Sequence, residues 1–402
     1  MTKPLRASTL NILEPGSQTA HGLPLFRLGF RPFYLCAAYF GAMAIPVWVL
    51  SFLGYIAWQP AIPALFWHAH EMLFGFAGAV IVGFLLTAGK AWTGLATPRG
   101  AKLATLVALW VAARLAAVLA PYAVFALLDV ALLPIIAVVL VTLFIRANSI
   151  RNLPIAGILV LLAVANGAFH LAVLGFIRLS PLDALHAGLA LVVMLECVIA
   201  GRVIPGFTLS ANPGLKIRGL SALEAITLGS TLIGLGLWVF LPPHALTAGV
   251  LLLAAASHVV RQWRWSPLVS RKRPILWILH AAYAWMPLAL GLLAMSQLGW
   301  VSPSAGLHAL TVGVTGGLII AMVTRTARGH TGRVLQASRA EVVAYALVML
   351  AATARVVLPL VAANWMASGL LMAAACWAAA FGIYAVVYTP WLAQARVDGK
   401  DG

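Results

Sequence analysis

The chain has 402 residues, of which 63% are hydrophobic and 9% are charged, and its mean hydropathy is +1.01. A water-soluble domain of this length could not bury so much apolar surface, so the composition indicates an integral membrane protein. The formal net charge of +17 would suit a nucleic-acid-binding protein if the chain were soluble. Its placement between apolar segments favours a role in membrane topology instead, and no nucleic-acid partner is expected.

Twelve apolar segments are long enough to cross about 30 Å of hydrocarbon as helices. They cover residues 33–56, 64–89, 102–120, 124–145, 154–177, 181–201, 221–241, 244–261, 275–297, 303–325, 340–361 and 365–388. The sequence therefore predicts an all-α integral membrane protein with twelve transmembrane helices. Its predicted parts are a cytoplasmic N-terminal segment (1–32), a membrane domain (33–388) and a cytoplasmic C-terminal tail (389–402).

The basic residues are distributed unevenly between the two sides of the predicted helices. All but three of the 26 lysines and arginines lie in the termini or in connections after even-numbered spans. By the positive-inside rule, both termini are cytoplasmic. The first 25 residues lack the short apolar core and cleavage site of a removable signal. Together with the short loops, this topology predicts a multi-pass protein of a bacterial inner membrane, surrounded by lipid.

Three predicted spans open with a histidine and continue in small and aliphatic residues. Their sequences are His70-Glu-Met-Leu-Phe-Gly-Phe-Ala-Gly in span two, His186-Ala-Gly-Leu-Ala-Leu in span six and His308-Ala-Leu-Thr-Val-Gly-Val-Thr-Gly in span ten. Spans three and eleven also resemble each other, because each carries an arginine followed by a proline toward the outer end of the span. These pairs are Arg114 with Pro121 and Arg355 with Pro359. The pattern predicts three four-helix units, residues 33–151, 152–273 and 274–388, in a pseudo-threefold arrangement.

Histidine and arginine residues form a layer near the outer side of the predicted membrane domain. An unpartnered polar group costs several kcal/mol in a membrane, and a buried arginine needs an anionic partner. Imidazole is a ligand for iron and copper, and haem propionates would supply the anions. The predicted ligands and cofactor contacts are His68, His70, His170, His186, His308, Arg114 and Arg355. For any single histidine, hydrogen-bonded packing is the alternative.

Two details refine this hypothesis. His68 and His70 are about 200° apart on an ideal helix, so they cannot face one site unless the start of the helix is distorted. Glu71, beside them, and Glu196, in the inner half of span six, are candidates for a proton path. The three cysteines are isolated and form no CxxCH motif, so any haem is predicted to be b-type and non-covalently bound.

The chain resembles the NnrS family of bacterial membrane proteins from about Pro24 to span twelve. The matching segments are Leu25-Phe-Arg-Leu-Gly-Phe-Arg31-Pro-Phe, Trp67-His-Ala-His-Glu-Met-Leu-Phe-Gly-Phe76, Gly83-Phe-Leu-Leu-Thr-Ala, Trp92-Thr-Gly94, Gly201-Arg-Val-Ile-Pro-Gly-Phe-Thr208, Asn212 and Gly329-His-Thr-Gly-Arg333. This resemblance implies a membrane protein that contains haem and copper and is linked to nitric oxide metabolism and nitrosative stress in denitrifying and related bacteria.

The layout is also similar to that of the catalytic subunits of haem-copper oxidases and nitric oxide reductases. Those proteins likewise carry histidines on spans two, six and ten near the outer side. The present sequence has no histidine pair on span seven and no His-x-His on span ten. A standard binuclear centre is therefore not encoded, and a different metal arrangement is expected.

Two functions are consistent with these patterns. The first is a haem or copper membrane protein that binds nitric oxide and reduces it to nitrous oxide, as an oxidoreductase of the nitric oxide reductase type with quinol or another electron donor. In a more limited form of this function, the protein binds nitric oxide without reducing it. The alternative is a secondary transporter or metal-handling permease, in which repeated units enclose a binding site.

Overall fold

The computed structural model describes residues 22–400 with the exception of 59 and 218, and all regular structure within them is helical. Most of the predicted N-terminal segment, including Lys3 and Arg6, lies outside the described residues. Arg218, which belongs to the basic residues of an even-numbered connection, also lies outside them.

Twelve helices in the described part of the chain are long and apolar enough to cross a membrane. They are α1 (Phe30–Phe52), α2 (Ala64–Thr93), α3 (Ala101–Leu119), α4 (Tyr122–Arg146), α5 (Leu153–Val173), α6 (Pro181–Ala211), α7 (Ser221–Phe240), α8 (Ala245–Arg264), α9 (Pro274–Gln297), α10 (Pro303–His330), α11 (Arg339–Val361) and α12 (Met366–Ala393). The predicted all-α architecture with twelve spans is confirmed, and the protein is a multi-pass membrane protein. Helices α6 and α10 extend beyond their predicted ends, because helical hydrogen bonding continues past the apolar stretch that hydropathy detects.

Two of the helices that open with histidine are irregular in the same way. In α2 a π-helical segment over Glu71–Ala77 follows His70, and in α10 a π-helical segment over Ala309–Gly316 follows His308. A π-helical segment widens the turn and is frequent at functional sites. Helix α6 is a continuous α-helix, so the first and third predicted units share a backbone feature that the second lacks.

Helices α2 and α10 are the most buried spans and form the interior of the molecule. Helix α1 packs against both α2 and α12, α9 packs against α8 and α10, and α6 contacts both π-helical segments. A Cβ atom at Gly83 of α2 would lie 2.9 Å from the Cβ of Phe33 in α1, so glycine permits their close approach. Large apolar side chains on the outside, each at least 75% exposed, form the lipid-facing surface; examples are Leu119, Leu127, Phe240 and Val386.

Consecutive spans alternate in direction, so α2, α6 and α10 begin at the same face of the molecule. We call this the upper face and the opposite one the lower face. The polar side chains considered below lie at different depths between them.

Candidate functional site

Three buried side chains converge below the upper face: His70 of α2, Asp129 of α4 and His170 of α5. One donor atom from each lies within 4.8 Å of the other two. The Nε2 atoms of His70 and His170 are 3.3 Å and 3.1 Å from the same carboxylate oxygen, Oδ2 of Asp129. All three are buried: His70 is 0% exposed, Asp129 is 5% exposed and His170 is 2% exposed. We call these three residues the His70 centre.

The second nitrogen of each imidazole has a partner of its own. Nδ1 of His70 lies 3.0 Å from Oε1 of Glu71, and Nδ1 of His170 lies 2.8 Å from the hydroxyl of Tyr122. Metal-binding histidines usually donate the N–H of the ring nitrogen that does not bind the metal to a carboxylate or another acceptor, which fixes the tautomer. In both histidines Nε2 faces an acceptor oxygen and donates to it when protonated; with both Nδ1 atoms as donors instead, the lone pairs of both Nε2 atoms face the centre, as a metal ion requires.

An arginine balances the two carboxylates around this centre. Arg114 of α3 places NH1 2.6 Å from Oε2 of Glu71, and its NH2 contacts Oδ1 of Asp129. The amide of Asn166 donates to Oδ2 of Asp129 over 2.7 Å, and its oxygen lies 3.0 Å from Nε2 of His70. Buried charges are stable only when they are paired and hydrogen-bonded in this way.

The π-helical segment of α2 explains why His70 and Glu71 both reach the cluster. Adjacent residues of a regular α-helix point about 100° apart, whereas here the helix widens immediately after His70. Within the same segment, Gly75 leaves room for the arginine, because a Cβ atom there would lie 2.7 Å from NH1 of Arg114. Trp110 of α3 donates from its indole to the Gly75 carbonyl over 3.1 Å, which fixes α3 against the segment.

The three donor atoms of the His70 centre lie close enough together to share a single metal ion. Aromatic rings of Phe74, Phe125 and Phe169 surround the His70 ring with centroid distances of 5.1, 5.4 and 4.7 Å. A neighbouring cavity of about 10 Å³, lined by Arg114, Asp129 and Asn166 but not by the two histidines, is just large enough for one water molecule. Two imidazoles and a carboxylate are a ligand set for copper, iron or zinc. A haem macrocycle does not fit between these rings.

A second pair of histidines lies near α11, away from the His70 centre. Nδ1 of His308 donates to the Ser304 carbonyl over 2.7 Å, and NH2 of Arg355 donates to the Ser304 hydroxyl over 3.1 Å. His68 and His308 are close enough to interact electrostatically with each other and with Arg355. The ring of His68 stacks on Trp48 with a centroid distance of 3.9 Å. Its buried Nδ1 atom has no hydrogen-bond partner. We call His68 and His308 the His308 pair.

The predicted ligands are thus divided among three locations. His70, His170 and Arg114 come together in one cluster, and His68, His308 and Arg355 come together in another. Of the seven predicted residues, His186 is the one at the third location. Its ring centroid lies 4.6 Å from that of Trp238. His68 and His70 take opposite sides, as their angular separation on the helix suggested.

The sequence placed Asp129 in the outer polar layer without predicting it as a ligand, and it did not select Tyr122 or Asn166, which the structure places beside the His70 centre. The first two come from α4 and the third from α5. Two features of the sequence could have identified these residues. Asp129 is the single acidic residue of an apolar span, and Asn166 precedes His170 by one helical turn. Which of these groups would contact α2 depends on how α4 and α5 are rotated about their axes.

The two predicted proton-path residues lie apart. Glu71 belongs to the surroundings of the His70 centre. Glu196 of α6 lies deeper, in a cavity lined by residues of α1, α2, α6, α9 and α10.

The lower end of α10 carries the Gly329-His-Thr-Gly-Arg333 segment. Just before it, Arg328 forms a two-bond ion pair with Glu341 of α11, at 2.7 and 2.6 Å. Arg396 of the C-terminal tail donates to the His330 carbonyl over 3.0 Å and to the carboxylate of Asp398. Hydrogen bonds from the Arg396 guanidinium hold the pKa of Asp398 well below its usual range. These contacts attach the tail to the end of α10.

Comparison with known proteins agrees with this architecture. No curated protein matches the chain. A family model described as NnrS protein matches residues 24–396, nearly the whole chain. This match confirms the resemblance seen in the sequence and links the chain to membrane proteins related to nitric oxide. The chain belongs to the NnrS family.

Proposed function

We propose that this protein is a membrane metalloprotein that binds nitric oxide, with a copper or iron ion held by His70, Asp129 and His170. The observation that carries the proposal is the convergence of two Nε2 atoms on one carboxylate oxygen while both Nδ1 atoms have partners. Hydrogen-bonded packing alone would not require two imidazoles and a carboxylate to share one point. Family membership supports a nitric-oxide-related role.

The residues around the ion would hold and balance it. A copper or iron ion at this place supplies a coordination position for nitric oxide and the capacity to change oxidation state. Glu71 orients the His70 ring, Tyr122 orients the His170 ring, and Arg114 offsets the charge of both carboxylates. Such outer partners typically change metal affinity by about 10- to 100-fold when they are replaced.

We assign the b-type haem that the family implies to the His308 pair. Here the residues fit the group, because a buried imidazole nitrogen of His68 lacks a hydrogen-bond partner. Arg355 is within reach of the same pair and would supply a cation for a propionate. The two histidines would bind the iron, and non-covalent attachment agrees with the isolated cysteines.

We further propose that bound nitric oxide is reduced. Two molecules of nitric oxide, two electrons and two protons give one nitrous oxide and one water, so the reaction needs a donor, for which a quinol is suited. Glu71 is the carboxyl group nearest the metal ligands, at 3.0 Å from His70, and would relay protons to this region. Glu196 is the second proposed proton carrier.

The proposed location is a bacterial inner membrane, with the lower face and both termini toward the cytoplasm. Basic residues concentrate in the connections at the lower face, such as the one between α8 and α9, which contains Arg271, Lys272 and Arg273. The positive-inside rule supports this orientation. The metal and haem ligands would then lie in the outer leaflet, where nitric oxide can enter from the bilayer.

A secondary transporter is the alternative function, and the cavity around Glu196 favours it. Transporters bind their substrates near the middle of the membrane between repeated units. The distinction is experimental. Protein purified in detergent from cells supplied with haem and copper should show a haem absorption band and contain copper or iron. A colourless, metal-free preparation would support the transporter.

The site assignment is tested with single substitutions. His170→Ala and Asp129→Asn should lower copper or iron per protein by about tenfold or more and leave haem content unchanged. His68→Ala and His308→Ala should lower haem instead, and His186→Ala tests the remaining predicted ligand. His280→Ala is the matched control, because this buried histidine bonds to Thr208 elsewhere in the molecule. Full cofactor content in all of the folded site variants would refute the assignment.

Activity is tested separately. Nitric oxide is added to the reduced wild-type protein, and the absorption spectrum should change. A quinol is then supplied and nitrous oxide is measured by gas chromatography. A spectral change without nitrous oxide would restrict the function to nitric oxide binding. No spectral response at all would overturn both forms of the proposal.

A further inference from the structure

A cavity of about 90 Å³ lies at the meeting point of the three helices that open with histidine. Helices α2, α6 and α10 contribute most of its wall, and α1 and α9 complete it. We call it the central chamber. Its wall is almost entirely aliphatic and aromatic, and among the described residues that line it there is no lysine, arginine or histidine.

Three polar groups interrupt this apolar wall: Glu196, Thr315 and Tyr34. The Oε2 atom of Glu196 and the hydroxyl of Thr315 lie close to each other, but the geometry is poorer than that of a normal hydrogen bond. The hydroxyl of Tyr34, near Thr326, does not complete one either. Thr315 and Tyr34 are 6% and 1% exposed. A buried polar group without a hydrogen bond costs about 1–3 kcal/mol. Glu196 and Thr315, which face each other, therefore suggest a guest that contacts both.

The size and chemistry of the chamber define the class of guest. A cavity of about 150 Å³ lined by apolar side chains accommodates benzene or xenon, and about 10–15 Å³ is enough for one water molecule. The central chamber is smaller than the first and larger than one water. A metal cation would need several oxygen ligands, whereas this wall offers three oxygen-bearing side chains.

The position of the chamber relates it to both histidine sites. Ala77, at the end of the first π-helical segment, and Thr315, within the second, both line it. Each is seven residues beyond a histidine, His70 in α2 and His308 in α10. Seven helical residues span roughly 10 Å. The chamber therefore lies at a similar depth below the His70 centre and below the His308 pair.

We propose that the central chamber is a binding site for one small, neutral, weakly polar molecule of the size of a diatomic or triatomic gas. Glu196 and Thr315 contact the polar end of this guest, and the apolar wall holds the rest. The identity of the guest as nitric oxide or nitrous oxide rests on the proposed function, whereas the site itself does not.

Xenon is the probe for the site, because it needs no metal and reports on apolar space. Crystals of the full-length protein, pressurised with xenon, should show an anomalous peak in the central chamber. Ala200→Leu adds three carbon atoms to the chamber wall and should lower xenon occupancy about tenfold or more. Ala375→Leu is the matched control, since Ala375 lies on the exposed side of α12. Ordered water instead of xenon in the wild-type chamber, or equal occupancy in Ala200→Leu, would overturn the proposal.

Infrared difference spectroscopy tests the contact between the Glu196 carboxyl group and the guest, and it does not depend on the Ala200→Leu variant. Addition of xenon or nitric oxide to wild-type protein should shift a carboxyl band that is absent in Glu196→Gln and present in Ala375→Leu. This measurement remains decisive if Ala200→Leu does not fold. An unshifted Glu196 band with guest present would refute the role of the carboxyl group. Loss of the xenon site refutes the chamber, whereas loss of metal or of the nitric oxide spectrum refutes the proposed function.

Discussion

Replacement of Arg114 by glutamine tests the charge balance of the His70 centre most directly. The guanidinium contacts the carboxylates of Glu71 and Asp129, and all three residues are at most 6% exposed. Removal of one partner from a buried ion pair typically costs about 3–5 kcal/mol, because the remaining charge is left uncompensated. Arg114→Gln leaves the charges of two buried carboxylates uncompensated. We therefore expect the free energy of unfolding to fall by an amount at the upper end of that range.

Arg355→Gln is the matched control in the corresponding helix of the third predicted unit. Arg355 is only partly buried, and its NH2 donates to the neutral hydroxyl of Ser304. Loss of one hydrogen bond to a charged group costs about 1.5–3 kcal/mol at most. The free energy of unfolding should therefore fall less in Arg355→Gln than in Arg114→Gln.

The measurement is a denaturant titration in detergent, followed by tryptophan fluorescence, on metal-free protein. A double-mutant cycle with Asp129→Asn isolates the pairwise term, since Asn no longer carries the charge that Arg114 offsets. The double variant should be more stable than the sum of the single effects predicts, by about 1–3 kcal/mol. Additive effects, or an equal loss in Arg114→Gln and Arg355→Gln, would refute the reasoning.

Three further predictions follow from other contacts. Gly75→Ala places a methyl group 2.7 Å from NH1 of Arg114, so metal content and thermal stability should both fall, and an unchanged metal content would count against the described approach. Glu341→Gln removes the charged acceptor of a buried arginine and should cost about 3–5 kcal/mol in the same titration; a loss below 1 kcal/mol would contradict it. Because Arg396 lowers the pKa of Asp398, the contact contributes its full stabilisation above the usual aspartate pKa of about 4 and loses it progressively as pH falls from there to the lowered pKa. The protection factor of the C-terminal tail, its exchange rate relative to unstructured peptide at the same pH, should therefore fall in acid, and Asp398→Asn should show the lower protection already at pH 7; equal protection in the two proteins at pH 7 would exclude the ion pair.

The sequence by itself determined the number of spans, their order and the family. These properties depend on local hydropathy and on short, specific strings such as His-Ala-His-Glu-Met, and the structure and the family match confirm them. The sequence also showed that His68 and His70 point in different directions, because helical geometry fixes the angle between them. The predicted unit boundaries, the cytoplasmic termini and the individual ligand roles stay predictions.

Only the tertiary structure decided which polar groups meet. The sequence placed seven candidate ligands at one depth, but it did not show that His70 would face Asp129 while His68 would face His308. Depth follows from the position of a residue along its own helix, whereas contact depends on the rotation and neighbours of each helix. In apolar helices rich in Ala, Val and Leu, many rotations bury similar surface, so the pattern does not select one. The π-helical segments and the chamber around Glu196 arise from the same interhelical packing.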